Sequence, residues 1–221
     1  LQIFTLTTGG VLTEAARFDS SQRLIMGGVA SQAVGNAGGY HSKVQLYSTS
    51  PNDGDVVIGT WLTANTDGPA LKLLKSGNAT IGSHTTVVDT EVLGDVEFHG
   101  DDGTDYEGPY AQIRGVVDGT VSITQHPGAL LLMTTPTGID PPVPVERVRV
   151  NALGSVIIGT AALATTATDG FLYIPTFAGA PTGVPTAYTG RSAIGHDTTN
   201  NRFCLYDPVS AIWQYASLLP V

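Results

Sequence analysis

Residues 145–160, VERVRVNALGSVIIGT, carry the clearest signal of the fold. Valine alternates with charged residues over residues 145–150, which predicts a β-strand with Val on one face and Glu and Arg on the other. A polar turn follows at residues 151–155, and the apolar run 156–158 then ends at Gly159. The stretch therefore predicts a β-hairpin with one apolar face.

The same pattern lies near the start of the chain. Residues 17–28 align with residues 149–160, and both contain an Arg, a strand, a polar turn, an apolar strand and a Gly in the same order. Residues 72–82 form a third, less complete copy with Gly77 at the turn. The uneven spacing excludes a regular solenoid. Because an isolated hairpin is marginal in water, we expect a partner chain to cover its apolar face and its edge.

Composition favours short strands over helices. The 221 residues include 27 glycines and 13 prolines, and only 13% are charged. That density of Gly and Pro interrupts long helices, whereas it suits short strands joined by tight turns. Short helices fit only at residues 13–17 and 161–166. Strands are predicted at residues 44–48, 92–99, 111–119 and 128–133, with short apolar runs at 24–26 and 56–58 and a tight turn at 51–54.

Charge and cysteine content exclude several classes of function. The net charge is −9, and the 10 Lys and Arg residues are scattered, which argues against binding to nucleic acid or to an anionic membrane surface. No stretch approaches the roughly 18 apolar residues of a membrane span, so membrane insertion is not expected. The single cysteine, Cys204, excludes an intrachain disulfide and is interpreted as a small buried residue. No motif calls for a cofactor.

Aromatic residues are dense after residue 168 and sparse before it, which suggests a separate C-terminal module. The predicted segments are an N-terminal β segment at 1–69, a central β module at 70–167 and a C-terminal tip or trimerisation module at 168–221. The aromatic side chains Tyr188, Tyr206, Trp213 and Tyr215 are candidates for stacking on sugar rings, because a ring offers an apolar face and a polar edge. The alternative is that they form the small core of the module.

Three parts of the chain resemble tailed-bacteriophage fibre proteins. Residues 146–160 are similar to the fibre pattern E-R-(M/L)-R-I-(D/N)-x-x-G-x-V-x-I-G-T, residues 71–135 look like a fibre module, and residues 195–207 with Trp213 resemble the C-terminal segment of many phage fibres. The resemblance implies an all-β, elongated, intertwined homotrimer of short hairpin modules located in the virion. Its partners would be its own copies, other virion proteins and a host surface glycan or protein.

Two functions compete with that of a receptor-binding tail fibre. The first is a head fibre or decoration protein of the capsid that binds no receptor. The second is a polysaccharide depolymerase, which needs two acids on either side of a sugar groove, and Asp101 and Glu107 flank one turn. The chain is short and broken by turns, so we expect a protein that is not an enzyme.

The acidic turn also suggests a metal site. Asp101, Asp102, Asp105 and Glu107 are oxygen ligands of the kind that Ca²⁺ prefers, although their spacing is not that of an EF-hand loop. The alternative is that Asp and Gly serve here only as turn formers. A single histidine from each of three chains could also meet on a three-fold axis.

Overall fold

The computed structural model describes residues 1–6, 10–26, 42–48, 56–61, 63, 68–161, 163–186 and 190–218. Every regular element in these residues is a β-strand, so the all-β prediction is confirmed. The described part of the chain contains no helix with the length and apolar character that spanning a membrane requires. The chain divides into two compact units, Leu1–Ala162 and Leu163–Val221.

The first sheet lies in the first unit and contains four strands: β1 (Gln2–Leu6), β2 (Leu12–Phe18), β3 (Leu24–Met26) and β4 (Val44–Leu46). The pairs β1–β2 and β2–β3 are antiparallel, whereas β3 and β4 are parallel. The short helix expected at residues 13–17 is therefore wrong, because these residues lie within β2. Pairing with β1 and β3 outweighs the helix propensity of Glu, Ala and Arg.

The second sheet is a five-stranded antiparallel meander in the same unit. Its strands follow chain order: β5 (Val92–Phe98), β6 (Ala111–Val117), β7 (Gly128–Thr134), β8 (Val145–Val150) and β9 (Val156–Ile158). Bulges interrupt the β5–β6 and β7–β8 registers. A small buried cluster of Val116, Ala129 and Leu131 lies on one face, with Val92 and Met133 packed against it.

The third sheet belongs to the second unit. It consists of β10 (Thr176–Phe177), β11 (Ile194–Asp197), β12 (Arg202–Asp207) and β13 (Ile212–Ser217). The first pair is parallel and the other two are antiparallel. Cys204 is fully buried at the centre of this sheet, in agreement with its interpretation as a core residue. The described residues between 161 and 166 contain no helix, so the second expected helix is also wrong.

The two aligned stretches form the same hairpin, between β2 and β3 and between β8 and β9. Asp19 and Asn151 are the first residues of the two turns. The Oδ1 atom of each accepts hydrogen bonds from the backbone N–H groups two and four residues further on. These distances are 2.8 and 3.1 Å for Asp19, and 3.1 and 2.8 Å for Asn151. The fourth residue has a positive φ, +61° at Gln22 and +81° at Gly154. The sequence repeat is thus a structural repeat, built on a turn with a left-handed residue.

The third copy differs from the other two. Residues 68–91 contain no strand, although the backbone N–H of Gly77 donates to the carbonyl of Thr85 at 3.0 Å. The apolar run 56–58 is not part of a strand among the described residues. The turn predicted at 51–54 lies outside the described residues. The predicted segment boundaries after residues 69 and 167 stay a prediction. Each of the three sheets lies within a different one of the three predicted segments.

Candidate functional site

One face of the second sheet is apolar and exposed. Paired residues of neighbouring strands share a face, and the pairs Val96–Ile113, Ile113–Leu132 and Leu130–Val150 trace this one across the sheet. Its exposed members, 38–64% accessible, are Val96, Phe98, Ile113, Leu130, Leu132, Val150, Val156 and Ile158. A contiguous apolar surface of this kind marks an interaction site.

The opposite face of the same sheet carries ion pairs beside the small core cluster. Arg114 donates to both carboxylate oxygens of Asp95, at 2.8 and 3.3 Å. Arg149 lies between Glu146 and Asp118, and the hydrogen bonds that its guanidinium donates to Glu146 raise its pKa against the opposing effect of burial. The sheet therefore presents a charged, internally paired face to one side and an apolar face to the other.

The first sheet also leaves apolar side chains exposed. On one face these are Ile3, Phe18, Met26, Val44 and Leu46, 36–59% accessible, whereas the bulge in the β1–β2 register places Phe4, Leu6 and Leu12 on the opposite face. Ile25 and Gln45 are paired across β3 and β4 on the other face, and both are buried. The alternation of apolar residues in the sequence is the signal that identifies such faces.

The third sheet has one covered face and one open face. Trp213 packs edge-to-face against Phe177 and Tyr206, with ring centroids 5.4 Å apart in both pairs. Its indole N–H donates to the carbonyl of Gly183 at 2.8 Å, so the segment before β11 covers this side. The open side presents Ile194, Phe203, Leu205 and Ile212, 36–55% accessible.

The predicted sugar-stacking residues separate by burial. Tyr206 is 4% exposed and Trp213 is half-buried, so both rings contribute to the core of the second unit, which is the alternative stated above. Tyr215 is 41% exposed, and the guanidinium of Arg202 lies 4.6 Å from its ring centroid. Tyr188 lies outside the described residues. As a ligand site, this set of four stays a prediction.

A buried carboxylate anchors the turn between β11 and β12. Asp197 is fully buried and accepts hydrogen bonds from the side chains of Asn200, at 2.7 Å, and Arg202, at 2.9 Å. Burial acts to raise the pKa of Asp197, but these bonds and those from the backbone N–H groups of Thr199 and Asn200 outweigh it and lower the pKa to about 2. Asp197 is therefore charged at neutral pH and holds the turn together.

The four acids of the predicted metal site lie together in the turn between β5 and β6. Three of them accept backbone hydrogen bonds within the turn: Asp101 from Gly103, Asp102 from Thr104 and Asp105, and Asp105 from Glu107, at 2.7–3.0 Å. The bonds from Asp105 and Thr104 lower the pKa of Asp102. No group of three or more metal-binding side chains converges within the described residues. The observed geometry is that of carboxylates that form a turn.

The fold defined by these sheets is similar to that of a bacteriophage tail-fibre domain. It is similar to the solved carboxy-terminal domain of the bacteriophage T5 L-shaped tail fibre, with a TM-score of 0.55 and 14% identity over 85% of this chain and 72% of that one. It is also similar to the same domain solved with its intramolecular chaperone domain, with a TM-score of 0.54 and 11% identity over 84% of this chain. This chain spans about half of that longer one, 52%.

No protein-family model matches the chain, and no curated protein matches its sequence. The likeness is therefore one of fold, and at this level it confirms the resemblance to phage tail fibres.

Proposed function

We propose that this chain is a structural section of a bacteriophage tail fibre that assembles as a homotrimer in the virion and attaches the particle to the host cell surface. The observation that carries the proposal is the similarity of its fold to the tail-fibre domain. The role is structural and adhesive, without enzymatic activity. The partners are two further copies of the chain, other virion proteins and a host surface glycan.

The exposed sheet faces support the trimer. All three sheets leave apolar side chains in water, and burial of such surface is the main favourable term in protein association. Among the described residues, the buried cluster of the second sheet consists of Val116, Ala129 and Leu131, so this sheet has a small core of its own. A second and a third copy would supply the missing cover and remove the open strand edges.

The mass of the native protein tests the assembly. Light scattering on unheated protein should give about three times the 22.9 kDa mass of one chain. A clean monomer over the micromolar range would contradict the proposal, because the apolar faces would then be stable in water.

Competition with phage adsorption tests the attachment. Purified trimer should bind host cells and block adsorption of the phage, and labelled antibody should mark the tail. A label confined to the capsid, with no effect on adsorption, would indicate a head fibre or decoration protein instead. Release of reducing sugar from host polysaccharide, abolished by Asp101→Asn or Glu107→Gln, would indicate a depolymerase.

A further inference from the structure

A groove lies at one end of the second sheet, between the loop of residues 99–110, which joins β5 to β6, and the loop of residues 135–144, which joins β7 to β8. It consists of two adjoining cavities of about 320 and 270 Å³. Gly108, Pro109 and Pro142 line both cavities, so the two are adjacent. Together they have the size of a small-ligand site.

Direct contacts between the two loops hold the groove open. The hydroxyl of Thr135 donates to the carbonyl of Pro109 at 2.6 Å, and its backbone N–H donates to the carbonyl of Tyr110 at 3.0 Å. Gly108 has a φ of +65° and lies so close to Pro142 that a Cβ on it would be 2.7 Å from the proline Cβ. Because the walls are joined in this way, a ligand would not need to order them on binding.

The second cavity contains a buried acceptor that has no donor. Gln112 is 2% exposed, and its Nε2 donates to Oε1 of Glu97 at 2.8 Å. Its Oε1 is buried and has no hydrogen-bond partner among the described residues. A buried carbonyl oxygen normally finds a donor, so this atom points to a ligand that supplies an O–H or N–H group. Glu97 also lines the cavity, and His99 Nε2 lies 3.1 Å from its Oε2.

The first cavity provides an aromatic surface. Tyr110 lines it and is 57% exposed, so a large part of its ring is open to a ligand. Asp102 and Glu107 lie on the same lining and offer carboxylate oxygens, which accept hydrogen bonds from hydroxyl groups. An exposed ring beside several acceptors suits a flat, polyhydroxylated molecule.

The charge of the groove selects against anions. Among the described residues, the lining of the first cavity includes no Lys or Arg, and the one Lys or Arg in the lining of the second, Arg114, is held by both oxygens of Asp95. The carboxylates would repel uronic or sialic acids, and the chain has a net charge of −9. A neutral sugar avoids this repulsion.

We propose that this groove binds a neutral hexose oligosaccharide of the host surface. The proposal rests on the attachment function proposed above and gives it a location and a ligand class. Glu97, Gln112 and Arg114 lie on the polar face of the sheet, opposite the apolar face assigned to the trimer. A trimer that buries only the apolar face would leave this polar face outside the contact.

Titration of the native protein with glucan, galactan and mannan oligosaccharides tests the proposal, and polygalacturonate fragments serve as the anionic probe. The native protein should bind at least one neutral probe and none of the anionic fragments. Tyr110→Ala and Gln112→Leu should each weaken the neutral interaction by about tenfold or more, the equivalent of one lost hydrogen bond or stacking contact. Tyr173→Ala is the matched control, because this tyrosine is 82% exposed and lies in the other unit.

Two outcomes separate this proposal from the attachment function. If the protein blocks adsorption and Tyr110→Ala blocks it equally well, attachment stands and the groove is not the site. If the native protein neither binds host cells nor binds a neutral probe, both proposals fail. Because the Tyr110 side chain is largely exposed, its removal should leave the native mass and melting temperature unchanged, so loss of binding would report on the groove and not on folding.

Discussion

Replacing Leu132 with aspartate measures directly whether the apolar face of the second sheet is buried between chains. Leu132 lies between Ile113 and Val148 on neighbouring strands and is 44% exposed in the single chain. Full burial of a leucine side chain is worth about 1.5–3 kcal/mol. Covering the exposed part of Leu132 by another chain would therefore stabilise the assembly by roughly 1 kcal/mol per chain and roughly 3 kcal/mol per trimer. An unpaired carboxylate at the same place costs several kcal/mol per ion.

The total loss should therefore exceed about 10 kcal/mol per trimer, which is more than a millionfold in the association constant at about 1.4 kcal/mol for each tenfold. In an isolated chain the same carboxylate would stay partly in water, at a cost of about 1 kcal/mol. The large effect appears only if the face is buried between chains.

Light scattering and thermal melting over a range of micromolar concentrations provide the assay. Leu153→Asp is the control, since it makes the same chemical change at a leucine that is 90% exposed in the β8–β9 turn. We expect the control to keep the trimer mass and Leu132→Asp to lose it. Wild-type mass and melting temperature in Leu132→Asp, or equal damage in both variants, would refute the reasoning.

Three further predictions concern turns and close packing. Gln22 and Gly154 occupy the same left-handed position of the repeated hairpin, so Gln22→Gly should raise the free energy of unfolding by about 0.5–1 kcal/mol and Gly154→Gln should lower it by about 1–2 kcal/mol in urea denaturation. Folding lowers the pKa of Asp197 from 3.8 to about 2, so the contribution of its carboxylate to the free energy of unfolding is complete above about pH 4 and is lost as the pH falls toward 2. Asp197→Asn should therefore flatten the profile of unfolding free energy against pH between about pH 4 and 2. Gly195→Ala should destabilise the second unit by roughly 1–3 kcal/mol, because the new Cβ would lie 2.4 Å from a ring carbon of Phe177. Gly183→Ala is the control: its new Cβ would have no atom within 4 Å, so the melting temperature should stay unchanged.

The predicted strands and turns that depend on local pattern are present in the structure. Residues 145–150 and 156–158 form β8 and β9 as expected, and the alternation at Val96 and Phe98 lies within β5. The expected helix at residues 13–17 is wrong because its residues pair with strands on both sides. Helix propensity is a local preference of a few tenths of a kcal/mol per residue, and sheet pairing overrides it.

The candidate sites were less predictable than the strands. The aromatic residues near the C-terminus were singled out for sugar binding, yet Tyr206 is almost fully buried. Gln112 was not singled out, because a polar residue in an alternating strand is the expected pattern of a solvent-facing position. Its burial depends on the loops that pack above it, and those loops come from two different connections of the sheet.

Local sequence patterns are enough to predict that this chain is built of short strands, where its two aligned hairpins turn, and that each of these hairpins has an apolar face. These properties follow from side-chain alternation and turn chemistry within a few neighbouring residues. Three features became visible in the folded chain alone: the parallel pairings β3–β4 and β10–β11, the burial of particular aromatic rings, and the groove between residues 99–110 and 135–144. Each of these depends on segments distant in the chain, and no local pattern specifies which of them meet.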